Sequence, residues 1–280
     1  MYPDLIDLGF LHLKTYGACM AVGFLLCWKI VERLSGRRDY ADLLMSLMVS
    51  GVLGARAAYV IEHWRSEFAA NPAAIIRIDQ GGLMFYGGLI LAVIVFFVWC
   101  HVKKVRPLDL ADLLCTVIPL GHACGRIGCF FYGCCYGRVS SSPLAVSFPH
   151  HSVAWYEQVR QGLIPATATS TLPVLPTQLF EAAALLVLFA FLFFRYRYAV
   201  ISAPTPQTPR TSQTSRTSSP AHTAALYLVG YAVIRFGMEF LRGDPRAAFL
   251  GLSIGQLISI GLVLAAAVFY IRGRVAARPA

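Results

Sequence analysis

LMFYGGLILAVIVFFVWCHVKKVR, residues 83–106, decides what kind of chain this is. No formal charge interrupts it from Leu83 to Cys100, and Lys103, Lys104 and Arg106 follow at once. Wound as a helix at about 1.5 Å per residue, the apolar part covers most of a hydrocarbon core about 30 Å thick. A basic cluster directly behind such a run marks its cytoplasmic end. The stretch therefore reads as a membrane span over 83–101, running from outside to inside.

Working outward, six further stretches read the same way, at approximately 15–33, 42–63, 108–125, 177–195, 223–241 and 252–271. The composition agrees. The chain is 57% hydrophobic and 14% charged, with a mean hydropathy of +0.62, where soluble chains are about 45–50% apolar and about 25% charged. The expected fold is an all-α integral membrane protein with seven transmembrane helices, one domain over residues 1–280. The net charge of +10 does not point to nucleic acid, because no basic face with interleaved aromatics accompanies it. Topology accounts for it. The segments behind spans one, three, five and seven hold thirteen Lys and Arg, and the opposite segments hold eight over longer loops. That asymmetry puts the N-terminus outside and the C-terminus in the cytoplasm. The opening MYPDLIDLGFLHL has no basic residue before Lys14, so no cleaved signal is expected.

Two connections stand apart. SAPTPQTPRTSQTSRTSSP, 202–220, is rich in Pro, Ser and Thr without apolar period, which predicts a disordered cytoplasmic linker. The outer loop region 138–176, between spans four and five, contains HHSVAWYEQVRQGL. That segment predicts a short amphipathic helix at the membrane surface. No internal repeat argues for a transporter built from two halves.

Ionisable groups inside spans are expensive, so each is a candidate functional residue. With the direction of each span assigned, Tyr16, Arg56, Tyr86, Arg126, Gln178 and Glu181 all fall in the outer half of the bilayer. So do Tyr231, Arg235 and Glu239, which recur every four residues on one face of span six. An interfacial belt would explain one Tyr, and snorkelling one terminal Arg. Neither explains Arg56 and Arg235 at greater depth. The cluster predicts a polar cavity open to the outer leaflet, with guanidinium forks suited to a lipid phosphate.

GRIGCFFYGCCYG, 125–137, lies at the same level. Its cysteines, with Cys124, run C-x4-C-x4-C-C, a spacing that suits a structural zinc site poorly, so no metal is expected. A disulfide from Cys129 or Cys124 to Cys134 or Cys135 is chemically allowed on an oxidising face. Otherwise these are small packing residues. Gly125, Gly128, Gly133 and Gly137 permit positive φ and close approach of backbone N–H groups to an anion. With Arg126 they suggest a turn wrapped around a phosphate or glycerol headgroup.

These residues resemble the signature of the prolipoprotein diacylglyceryl transferase family, G-R-x-G-N-F-x-N-x-E-x-x-G. Gly125, Arg126, Gly128, Phe130 and Gly137 match. The similarity extends to TYGACMAVGF, GVLGARAAYV, GGLMFYGGLI, LPTQLFEA, GYAVIRFGMEFLR and FLGLSIGQ, in order over nearly the whole chain. The resemblance implies a multi-pass enzyme of the bacterial cytoplasmic (inner) membrane with its active site at the outer leaflet. Its implied substrates are phosphatidylglycerol and prelipoprotein signal peptides carrying a lipobox cysteine. Diacylglyceryl would pass to the cysteine thiol and glycerol phosphate would leave, with no organic cofactor. By position, Arg126 and Arg235 would be the catalytic arginines. Tyr16, Tyr231, Glu239 and Gly137 match residues important to the family. Three positions depart from it: Cys129 replaces Asn, Cys134 replaces Glu, and Tyr86 replaces the His of span three, the proposed base. Tyr86 is then expected to donate to a phosphate or glycerol oxygen, with His122, His150 and His151 as candidate bases. A non-catalytic phospholipid-binding or lipid-moving relative is the first alternative. A membrane thiol-redox protein is the second.

Overall fold

The structure, a computed structural model, describes residues 4–7, 12–77, 81–201, 222–243, 248–249 and 251–276. The expected linker at 202–220 lies outside these residues. Among them the chain forms eight α-helices: α1 (Thr15–Ser35), α2 (Arg38–Glu62), α3 (Phe85–Lys103), α4 (Pro107–Tyr132), the short α5 (Val153–Arg160), α6 (Thr177–Ile201), α7 (His222–Glu239) and α8 (Ile254–Ala276). Each long helix lies on one of the seven apolar stretches. Five of them, α2, α3, α4, α6 and α8, are long and apolar enough to cross a membrane. The other two are continuous helices that carry charge within them, α1 at Lys29, Glu32 and Arg33, and α7 at Arg235 and Glu239. Along α3 only Gly88 and Cys100 are buried, while Leu89, Ile90, Val93, Ile94, Phe97 and Val98 are exposed. Such a surface suits lipid rather than water. This is an all-α membrane protein.

The chain forms two compact units, residues 31–110 and residues 1–30 with 111–280. In the first, α2 and α3 press glycine on glycine. A Cβ on Gly54 would sit 2.5 Å from the Gly87 carbonyl oxygen, and one on Gly88 would sit 2.6 Å from that of Gly51. Without a hydrophobic drive between helices in lipid, such small-residue seams let dispersion hold them. The α2–α3 connection winds through a π-helical turn, Trp64–Phe68, and a 3-10 turn, Pro72–Ile76. Arg56 holds it together. Its Nε donates to Ile75 O, Nη1 to Gly81 O and Gly82 O, and Nη2 to Ala74 O and Arg77 O, all at 2.8–3.2 Å. A guanidinium has five N–H groups, so all are engaged. Gly82 has φ +76°, and a Cβ there would meet Arg56 Nη1 at 2.5 Å.

In the second unit, a hairpin of β1 (Asp4–Asp7) and β2 (His12–Lys14) leads into α1. α1 lies close on α4: a Cβ on Gly23 would be 2.7 Å from Cys124 Cβ, and one on Gly128 would be 2.9 Å from the Tyr16 ring. Here the sequence expectation needs correction. Span four does not break at 125, because α4 runs unbroken to Tyr132. A helical glycine costs about 1 kcal/mol relative to Ala, and close packing of α1 compensates for it. Gly125 and Gly128 are therefore helix-packing positions, and Arg126 stands within the helix. Gly133, with φ +77°, ends it.

The loop region behind α4 is ordered around Tyr136, Phe148, Ala154 and Val174, with Phe130 and Val146 packed against them. Isolated bridges join Val174 to both Val139 and Val146. α5 forms within the predicted amphipathic segment. Ser152 caps it, its Oγ accepting from Trp155 N at 3.2 Å, and Trp155 Nε1 donates to Ala168 O at 2.8 Å. α7 packs against both α6 and α8. A hairpin of β3 (Ala248–Phe249) and β4 (Leu252–Ser253) precedes α8. A capping box opens α8: Ser253 N donates to Gln256 Oε1 at 3.0 Å, and Gln256 N to Ser253 Oγ at 3.2 Å.

Candidate active site

The site is assembled by three helices of the second unit. Asp112, buried near the start of α4, accepts through Oδ1 from Ala224 N at 2.7 Å. That bond pins the beginnings of α4 and α7 together. Farther along, Ala123 and Ile127 of α4 meet Tyr231 and Ile234 of α7 over Ala182 and Leu185 of α6. Two helices joined at their starts and again higher up run parallel. At about 1.5 Å per residue, Arg126 lies about 21 Å beyond Asp112 and Arg235 about 17 Å beyond Ala224. The two guanidinium groups therefore arrive at nearly the same level.

Each is held by a carboxylate. Arg126 Nη2 lies 3.1 Å from Glu181 Oε1, and Arg235 Nη2 lies 2.9 Å from Glu239 Oε2, one turn along the same helix. Glu181 is 1% exposed and Arg235 8%, so bulk water does little to screen these pairs. Tyr231 packs into the same three-helix cluster, beside Ile127, the neighbour of Arg126. His122 places Nε2 4.0 Å from Glu181 Oε1 and its ring 5.0 Å from that of Tyr231. Arg126 Nε and Arg235 Nη1 are buried with no hydrogen-bond partner among the described residues. Buried donors are nearly always satisfied, and an orphan asks for an explanation. Here a ligand oxygen would provide it.

The remaining expected residues fall into different roles. Gln178 and Thr177 open α6. They donate to Cys134 O at 2.7 Å and Cys135 O at 2.9 Å, tying that helix to the loop behind α4. Tyr16, 41% exposed, stands in the first turn of α1 over Gly128, near Arg126. Gly137 serves a backbone crossing. Its N–H donates to Leu175 O at 2.8 Å, Arg138 N to Leu241 O at 2.9 Å, and a Cβ on Gly137 would sit 2.7 Å from Leu241 O. The expected anion-wrapping turn is thus two separate devices, a helix seam and a strand-like crossing. Arg56 and Tyr86 belong to the other unit. Arg56 is engaged by the five carbonyls of its own connection, and Tyr86, at the second position of α3, is 59% exposed. Of the three candidate histidines, His122 alone stands beside the arginine–carboxylate pairs. His150 and His151 pack on each other and on Trp155 near α5.

Two contributors escaped the sequence reading. Gly255 leaves room for the Arg235–Glu239 pair: a Cβ there would meet Glu239 Oε2 at 2.6 Å and Arg235 Nη2 at 2.7 Å. Nothing in LSIGQ announces that neighbour. Asp112 did carry a signal, as an acid inside an apolar run.

A family model described as prolipoprotein diacylglyceryl transferase matches residues 3–272. Among similar curated proteins is the phosphatidylglycerol–prolipoprotein diacylglyceryl transferase of Bordetella bronchiseptica, 32% identical, with 96% of this chain and 94% of that protein covered. Proteins of the same name from Pasteurella multocida (32% identical, 94% and 86% covered) and Rhodospirillum rubrum (29%, 97% and 92%) are also similar. A match that begins near the first residue and carries both arginine helices is more than a shared motif: the chain belongs to the prolipoprotein diacylglyceryl transferase family.

Proposed function

We propose that this protein transfers diacylglyceryl from phosphatidylglycerol to the lipobox cysteine of a prelipoprotein, at the outer leaflet of the bacterial inner membrane. All seven long helices cross, with the N-terminus outside and the C-terminus in the cytoplasm. The observation that carries the reading is the pair of buried guanidinium N–H donors, Arg126 Nε and Arg235 Nη1, that remain when Glu181 and Glu239 have paired with the Nη2 of each arginine. A phosphodiester oxygen would complete both.

In the proposed reaction the lipobox thiolate attacks the glycerol carbon bearing the phosphate ester. The C–S bond forms as the C–O bond breaks, and the electron pair leaves on glycerol phosphate. Charge grows on the leaving phosphate, where fixed guanidinium cations stabilise the transition state more than the bound lipid. The thiol proton goes to His122, oriented by Glu181 and Tyr231. Tyr231 and Tyr16 line the headgroup side. Arg56 acts indirectly, by shaping the α2–α3 connection. Transfer of radiolabelled glycerol lipid from phosphatidylglycerol to a synthetic lipobox peptide tests the assignment. A thioether-linked product is expected, and its absence with lipid still bound would favour the non-catalytic relative.

A further inference from the structure

The end of α4 assembles a group that the reaction does not use. Cys134 N donates to Cys129 O at 3.2 Å and Gly133 N to Phe130 O at 3.2 Å, the paired bonds of a Schellman helix end with Gly133 as its left-handed residue. In that motif the side chain after the glycine folds back onto the residue five positions earlier, normally as an apolar contact. Here the two residues are Cys134 and Cys129. Cys135 follows with φ +63°, a conformation that costs a non-glycine residue energy, and it brings in a third sulfur. The three Sγ atoms lie within 4.8 Å of one another. Linear spacing argued against a metal, because helix-end geometry, not the C-x2-C turn, does the gathering.

We propose that Cys129, Cys134 and Cys135 form a three-thiolate site for a thiophilic metal ion of the Zn(II) or Cu(I) class. Metal–sulfur bonds of about 2.3 Å require sulfurs about 4 Å apart, within a small side-chain rotation of the observed cluster. Thiolates suit these soft ions, and binding displaces the three thiol protons to solvent. The resulting centre is anionic, and two guanidinium groups are at hand to balance it. Arg242 is bridged to Gly137, two residues past Cys135, and Arg126 lies about one turn before Cys129 on α4. A disulfide would use two sulfurs and strand the third, whereas all three converge. The carbonyls of Cys134 and Cys135 accept from Gln178 and Thr177, at the start of the helix that carries Glu181. Loading the cluster therefore stiffens the support of the Arg126 partner.

The test uses the full chain, purified in detergent, reduced and desalted without oxygen, then titrated with Zn(II) in one arm and Cu(I) in the other. Bound metal is measured by elemental analysis, and cysteine protection from maleimide is mapped by mass spectrometry. The expected result in at least one arm is one ion per chain, with Cys129, Cys134 and Cys135 protected while Cys19 and Cys124 stay reactive. Binding should vanish in the Cys129→Ser, Cys134→Ser, Cys135→Ser triple variant. Wild-type protein already alkylated at these thiols gives the same readout without relying on that variant to fold. Retained stoichiometric binding in the triple variant, or failure of both ions to protect all three cysteines, would overturn the proposal. So would a disulfide at any of the three in protein alkylated directly in its native membranes.

Discussion

Arg126 and Arg235 each commit Nη2 to a carboxylate and keep a second buried donor, Nε in one and Nη1 in the other. A planar fork can do both at once, and an ammonium cannot. Replacing either by Ala should lower transfer by about 10²–10³-fold or more without loss of membrane insertion, and Lys should restore little. Full activity of both Ala variants would place the phosphate clamp elsewhere. His122→Asn should depress turnover while leaving phosphatidylglycerol binding unchanged, since the proposed role is proton acceptance. An unaltered rate assigns the proton to another group. Tyr86→Phe should cost about 10²–10³-fold if the hydroxyl is a transition-state donor, and Tyr86→His should retain activity. A fully active Phe variant would make Tyr86 an interfacial belt residue. At this scale most of the site was legible, because charge inside an apolar span has few bland explanations. Arg56 was the exception. Its burial fits a residue inside a span, but its five carbonyl partners come from a connection folded back by two left-handed glycines, Gly81 and Gly82, and no spacing rule places them.

Helices set the level of each functional group, so mutations far from the arginines should still reach them. Asp112 ties the start of α7 to α4, and loss of such a cap costs about 0.5–2 kcal/mol. Asp112→Ala should lower the thermal midpoint and reduce activity, with Asp112→Asn intermediate. An unchanged midpoint would show that the Ala224 bond does not hold α7. Gly255→Ala should separate Arg235 from Glu239, because the added methyl occupies the space of their terminal atoms, and it should impair transfer more than it destabilises the fold. Element existence was readable from hydrophobic runs; element ends were less so. The expected stop of span four at 125 followed from counting glycines as breakers. α4 continues to Tyr132 because Gly125 and Gly128 face a closely packed neighbour, and a glycine that permits helix contact looks the same in sequence as one that ends a helix.

For the whole molecule, the basic asymmetry makes a directional claim. Periplasmic reporters fused near Ser142 or Phe249 should be active and those near Thr214 inactive, and the opposite pattern would remove the outer-leaflet assignment. Sequence alone determined that the chain is a helical membrane protein, where its long helices lie, and that charged residues stand inside its apolar spans. Those properties follow from bilayer thickness and from the cost of burying charge, which act on any order of packing. Tertiary structure alone decided which groups meet. Glu181 pairs with Arg126 because α6 packs against α4, and Arg235 stays at that level because Asp112 anchors α7. Cys129 meets Cys134 and Cys135 because a left-handed Gly133 turns the chain back on itself. Each depends on contacts between residues distant in sequence or on a local handedness that composition does not encode.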